Sequence, residues 1–181
     1  MQMDKNGVIS PARYIASPYC DLRSNVKDIR LLVIHNISLP PGEFSGEAVI
    51  ALFTGKLDAN THPYFAQIHQ LQVSAHFFIR RDGELIQFVP CSKRAWHCGV
   101  SNWQGWERCN DFSIGIELEG DDHSPFTDAQ YRQLDQLTRT LQIAYPHITI
   151  TGHSDIAPGR KTDPGPCFDW LRYRGLIGAP S

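Results

Sequence analysis

Five residues have types and spacings that could carry out hydrolysis together: His35, Glu117, His153, Lys161 and Asp163. His35 ends the run RLLVIHN. His153 and Asp163 bracket the loop TGHSDIAPGRKTDPGP, whose prolines and glycines read as neither helix nor regular strand. Two imidazoles and one carboxylate make a zinc site with an open fourth position. Such an ion lowers the pKa of bound water from about 15.7 to about 7 and polarises a carbonyl. Glu117, between Ile116 and Leu118 in SIGIELE, would serve as a general base whose proton affinity rises on desolvation. Lys161 stands two residues before Asp163. In an extended segment that spacing puts both on one side, where a lysine can stabilise an oxyanion.

Spacing alone leaves every one of these readings open. A lone histidine is commonly a packed or surface imidazole, and no HExxH or other local zinc motif is present. Glu117 could equally point outward from a half-exposed sheet face beside Glu119. Lys161 could be a solvated loop lysine.

The elements that must position these residues can be read from periodicity. Arg30–Asn36 is a short branched apolar run and reads as a buried strand. Glu47–Phe53 reads as a short helix closed by Gly55, and Asp58–His69 as irregular. Ser74–Arg80 and Glu84–Val89 read as a hairpin turned at Asp82-Gly83. Lys93–Asn110 holds three of the four tryptophans without periodicity and reads as a long surface loop, a kind usually kept for function. In Ser113–Glu119, Ile114, Ile116 and Leu118 alternate with Ser113, Gly115, Glu117 and Glu119, as in a strand. Thr127-Asp128-Ala129-Gln130 is a capping box opening a helix with Tyr131, Leu134, Leu137 and Leu141 on one stripe, stopped by Pro146. A strand over Ile148–Thr151 and a helix over Phe168–Ile177 complete the chain. The sum is α/β: a single domain over 1–181, core about 30–170, with a central mixed sheet flanked by helices.

Composition narrows the partners. The chain has 181 residues, 41% apolar and 20% charged, with a net charge of −2, so bulk charge gives no polyanion-binding face and no nucleic-acid partner is expected. The longest strongly apolar runs fall far short of the ~20 residues of a spanning helix, so no membrane insertion is expected. MQMDKNGVIS lacks the apolar h-region of a secretory signal. Five cysteines without a CxxC pair read as reduced thiols in a cytosol.

Taken in order, VIHNIS, SAHFFIRRDGELIQFVP, RAWHCGVSNWQG, CNDFSIGIELEG and GHSDIAPGRKTDPGPCFDW resemble the zinc-dependent N-acetylmuramoyl-L-alanine amidase family, which includes phage lysozymes and peptidoglycan-recognition proteins. The likeness runs from about Arg30 to Trp170. Within the family it is greatest to the cytosolic 1,6-anhydro-muramoyl-peptide amidases. The resemblance implies one zinc ion per chain on His35, His153 and Asp163, with Glu117 and Lys161 as the catalytic pair. It implies that Asn36, Trp96, Arg108 and Arg160 line the substrate pocket, and that His76 is structural. The implied reaction is hydrolysis of the amide between the lactyl group of (1,6-anhydro-)N-acetylmuramic acid and L-alanine, in cell-wall recycling. The expected protein is a cytoplasmic monomer acting on a small muropeptide. The alternatives are a periplasmic amidase on intact peptidoglycan and a binding module without catalysis. One departure is Gln72, where the family tends to carry arginine.

Overall fold

The computed structural model describes residues 1–178; residues 179–181, the end of the expected domain, lie outside the described residues. Six strands form one mixed sheet: β1 (Arg13–Tyr14), β2 (Leu31–Ile37), β3 (Phe77–Ile79), β4 (Leu85–Gln87), β5 (Ser113–Glu119) and β6 (Thr149–Gly152). Their spatial order is β6-β2-β5-β3-β4-β1. β6, β2, β5 and β3 run parallel to one another. β4 turns back antiparallel to β3 through the Asp82-Gly83 turn, where Gly83 takes φ +92°, as expected of a glycine turn. The helices are α1 (Ala48–Phe53), α2 (Pro63–Ile68), α3 (Asp128–Ala144), α4 (His153–Ile156) and α5 (Trp170–Gly178).

Both faces of the sheet are covered, which is why β2 reads as an apolar run. On one face Leu32, Ile34, Ile114, Ile116 and Leu118 meet Tyr131, Leu134, Leu137 and Leu141 of α3 and Tyr173 of α5. The stripe and the capping box expected for α3 are both present. Thr127 Oγ1 accepts from the Gln130 N–H at 3.1 Å, and Gln130 Oε1 accepts from the Thr127 N–H at 3.0 Å. Such a cap contributes ~1 kcal/mol. On the other face Phe78 and Ile86 pack against α1 and Phe65 of α2. Leu31 and Val33 pack there against Cys98, Cys109, Phe112 and Ile156. That second face also carries Glu117, and all seven residues of β5 are buried. The half-exposed alternative for Glu117 is therefore excluded.

Three local expectations need correction. Pro63–Ile68 is a helix, not irregular chain: the His62 ring accepts the Tyr64 N–H at 3.0 Å, and Pro63 sits in the first turn. The 93–110 segment is not a featureless loop. Lys93–Ala95 pairs with Cys20–Leu22, Asn102–Trp103 pairs with Trp106–Glu107, and Cys109–Phe112 is a 3₁₀ turn. A partner three residues long and seventy positions away leaves no periodic signal. His153–Ile156 is a helical turn, because the Asp155 carboxylate accepts from the Gly152 N–H (2.8 Å) and the Thr151 hydroxyl (2.7 Å).

The first 29 residues contribute more than the sequence indicated. Ile9 lies in the core. Arg23 is buried, and its guanidinium donates to the carbonyls of Cys91 (3.1 Å), Asn110 (3.1 Å), Asp111 (3.1 Å) and Ser113 (2.5 Å). One cation thus ties the 91–113 segment under β5, at a desolvation cost that lowers its pKa to about 10. Its neighbour is His76, fully buried, with Nη2 to Nε2 at 3.0 Å. His76 Nδ1 accepts the Gly115 N–H at 3.0 Å, so the neutral ring carries its proton on Nε2, 3.1 Å from the Lys93 carbonyl. This is a structural role, as the resemblance implied.

Two outcomes follow. Replacing Arg23 with Met strands several buried carbonyls and should cost ~3 kcal/mol or more, read from urea midpoints; Arg23→Lys should recover only part, lacking the planar fork. Burial, then the Arg23 charge, holds the His76 pKa well below the ordinary value. The unfolded chain therefore binds the extra proton first, and stability present above about pH 6.5 is lost as pH falls below it, by up to ~1.4 kcal/mol per unit. Equal urea midpoints at pH 7.5 and 5.5 would contradict this.

Candidate active site

The parallel ladder sets the first two residues side by side: His35 of β2 is registered opposite Glu117 of β5. β6 runs along the other side of β2, with Gly152 opposite Ile34, so the next residue, His153, emerges beside His35. The chain then turns through α4, and the Ser154 N–H donates to the Asp163 carbonyl at 2.9 Å, folding the loop back on itself. All three parallel strands deliver their side chains at C-terminal ends, where open α/β sheets bind ligands.

The result is a tight triangle. His35 Nδ1 and His153 Nδ1 are 3.0 Å apart, and each is 2.9 Å from Asp163 Oδ2. His153 Nε2 donates to the Cys98 carbonyl at 3.0 Å, so in the neutral ring Nδ1 is a bare lone pair facing the triangle. A lone pair, a carboxylate oxygen and a second imidazole nitrogen within 3.0 Å suit a bound cation better than one another. His35, His153 and Asp163 are a group that could hold a metal ion. Burial holds the His35 pKa down to about 4, which keeps the ring neutral and able to ligate. Burial raises Asp163, but its contacts with the His153 and His35 rings outweigh it and bring the carboxyl below its usual range.

Glu117 stands at the edge of this triangle. Its Oε1 is 4.0 Å from His35 Nδ1. Its residue exposure is 8%, and Oε2 is buried with no hydrogen-bond partner among the described residues. An unsatisfied buried carboxylate is costly, and native structures keep such groups chiefly where chemistry uses them. Burial, reinforced by the Asp163 charge and opposed by Lys161, raises its pKa well above the ordinary carboxylate value. Lys161 is exposed and lines the same cleft.

The cleft has a volume of about 700 Å³. Its lining includes the apolar Leu52, Phe53, Tyr64 and Trp96 and the polar Asp121, Asp122 and His123. Trp96 stacks on Tyr19 with centroids 6.3 Å apart. Asn36 lines the cleft, yet its amide is engaged, donating to Asp122 Oδ1 (2.9 Å) and the Pro164 carbonyl (3.0 Å). Arg160 reaches the rim and donates to the carbonyls of Cys98 and Val100, both at 2.6 Å. Arg108 is not brought to this cleft. Its guanidinium pairs with Asp111 at 3.2 Å, and the residue borders a separate hollow beside Ile156 and Pro158. Gln72 is exposed between the lining residues Leu71 and Val73. Sequence reasoning passed over two polar partners: Asp122, which holds Asn36, and His97, whose Nδ1 is 2.9 Å from His35 Nε2. His97 stands in RAWHCG. Its signal was a further histidine within a motif already singled out.

Comparison with known proteins agrees with this geometry. Residues 25–166 match the family model described as N-acetylmuramoyl-L-alanine amidase. The chain is 59% identical to the 1,6-anhydro-N-acetylmuramyl-L-alanine amidase AmpD of Salmonella typhimurium (strain SL1344), over 100% of this chain and 97% of that protein. A crystal structure of a Se-Met AmpD derivative superposes with a TM-score of 0.95 at 59% identity, covering 98% of this chain and 99% of that one. The amidase AmiD from Escherichia coli, in complex with the substrate anhydro-N-acetylmuramic acid-L-Ala-D-gamma-Glu-L-Lys, superposes with a TM-score of 0.60 at 28% identity, over 96% of this chain and 65% of that one. With residues 25–166 matched by the family model and nearly its whole length shared with a 59% identical relative, this chain belongs to the N-acetylmuramoyl-L-alanine amidase family.

Proposed function

We propose that this protein is a zinc-dependent amidase that cleaves the bond between the lactyl group of 1,6-anhydro-N-acetylmuramic acid and L-alanine, in cytoplasmic recycling of peptidoglycan. The observation that carries this reading is the buried Glu117 carboxylate, its Oε2 without a hydrogen-bond partner among the described residues, beside the His35–His153–Asp163 triangle. A module that only bound peptidoglycan would have no use for that arrangement. The relatives named above supply the substrate class. The cytoplasmic reading is supported by the five cysteines, all of them free thiols.

His35, His153 and Asp163 would hold the ion. Bound zinc supplies Lewis acidity, which makes hydroxide available near neutral pH and polarises a carbonyl. Glu117 takes the proton of the attacking water, a task suited to a carboxylate whose proton affinity burial has raised. It then returns that proton to the alanine nitrogen as the C–N bond breaks. Lys161 offsets negative charge developing on the lactyl oxygen. The Asn36 amide steadies the Asp163–Pro164 strap, and Trp96 presents an apolar face to the sugar or its lactyl arm.

Glu117→Gln should retain one zinc per chain, leave stability equal or higher, and lose about 10²–10⁴-fold in turnover. His153→Ala should lose the metal. Near-normal hydrolysis by either variant would refute the assignment. Mass spectrometry of products from anhydro-muramoyl tripeptide and its reducing-end analogue, before and after chelation, tests both substrate and metal. Activity should disappear on chelation and return with zinc, and the anhydro substrate should be preferred. Equal turnover of the two substrates would point to action on intact wall instead.

A further inference from the structure

The His97–Cys98 dipeptide touches both candidate ligand histidines, each on the ring nitrogen turned away from the triangle. His97 Nδ1 lies 2.9 Å from His35 Nε2, and the Cys98 carbonyl lies 3.0 Å from His153 Nε2. A carbonyl can only accept, so Cys98 leaves one tautomer to the neutral His153, with Nδ1 free. For His35 the choice is open in the bare protein, where Nδ1 can share a proton with Asp163 Oδ2 at 2.9 Å. Once Nδ1 ligates an ion, its proton must sit on Nε2, and the only described side chain within hydrogen-bond distance of Nε2 to receive it is His97.

The surroundings are built for this contact. His97 Nε2 lies 3.2 Å from Ser113 Oγ, so a ring accepting at Nδ1 has a partner for its own proton. Gly115, mid-strand in β5, clears the space: a Cβ there would fall 2.5 Å from His97 Nδ1. The dipeptide's two backbone N–H groups, of His97 and Cys98, both donate to Asn110 Oδ1, at 3.1 and 2.9 Å. Asn110 in turn is held through its carbonyl by Arg23 at 3.1 Å.

The geometry points to His97, carried on a backbone pinned by Asn110, as the positioning residue that sets the His35 tautomer and through it the affinity of the metal site. The inference rests on the metal reading of His35, His153 and Asp163. Partners of this kind typically change metal affinity by about 10–100-fold. His97 acts through His35 and not on the substrate.

Zinc affinity should be measured by competition with a chromophoric chelator for the wild type, His97→Phe, His97→Gln and Asn110→Ala, with apo-protein melting curves as the control for folding. Phe keeps the ring and removes the acceptor, and should weaken zinc by about 10–100-fold. Gln, which can accept, should recover a large part, and Asn110→Ala should weaken zinc in the same direction. Nitrogen-15 spectra of the zinc-loaded wild type should show His35 protonated at Nε2 and His97 unprotonated at Nδ1; this reading does not depend on any variant folding. Wild-type zinc binding with an unchanged constant in His97→Phe, or a His97 protonated at Nδ1, would overturn the inference and leave the metal site standing. Failure of the wild type itself to take up zinc would overturn the metal reading and the inference with it.

Discussion

His35 and Glu117 face each other across a parallel ladder, and that pairing governs everything else at the site. A one-residue slip would exchange the two faces of β2, turning His35 toward α3 and Leu32 toward the cleft. Burial on both sides forbids the slip, because Leu32 and Ile34 are committed to the α3 core. The apolar half of the ladder therefore sets the polar half. β6 extends the same logic by delivering His153 one position beyond its last pairing with β2.

The ladder brings costly groups together, and the surrounding chain offsets that cost. Two histidines, a carboxylate and a buried glutamate crowd one end of the sheet. No local preference would assemble them. The Cys98 carbonyl and the His97 ring meet the outward-facing nitrogens of His153 and His35, and Arg23 and Asn110 hold the 91–113 segment in place. Side chains far from the cleft are thus tied to its geometry by hydrogen bonds whose loss would strand buried groups.

The cleft is mixed in character. Its lining combines aromatic and aliphatic groups of α1, α2 and Trp96 with acidic residues after β5 and the 160–163 strap. Such a surface suits a ligand with a compact, partly apolar head and a polar, charged tail, the chemistry of a sugar lactyl ether joined to a short peptide. Arg108 shows the limit of carrying a role by motif: its side chain turns to Asp111 and borders a separate hollow.

Much of this was legible in the residues. The strand runs, the capping box at Thr127, the α3 stripe and the Asp82-Gly83 turn are local patterns, encoded within a few positions and confirmed in the fold. The ordered motifs named the family and the five candidate site residues. What the sequence could not settle was anything dependent on distant pairing. Whether Glu117 faced solvent or the cleft, and whether 93–110 was loop or paired strand, depended on partners tens of residues away. The same was true of Arg23 beneath the sheet and His97 behind His35. Periodicity reports which face of an element is apolar. Only tertiary packing decides which polar groups are buried together, because the energy of a buried polar group depends on the partner it meets there.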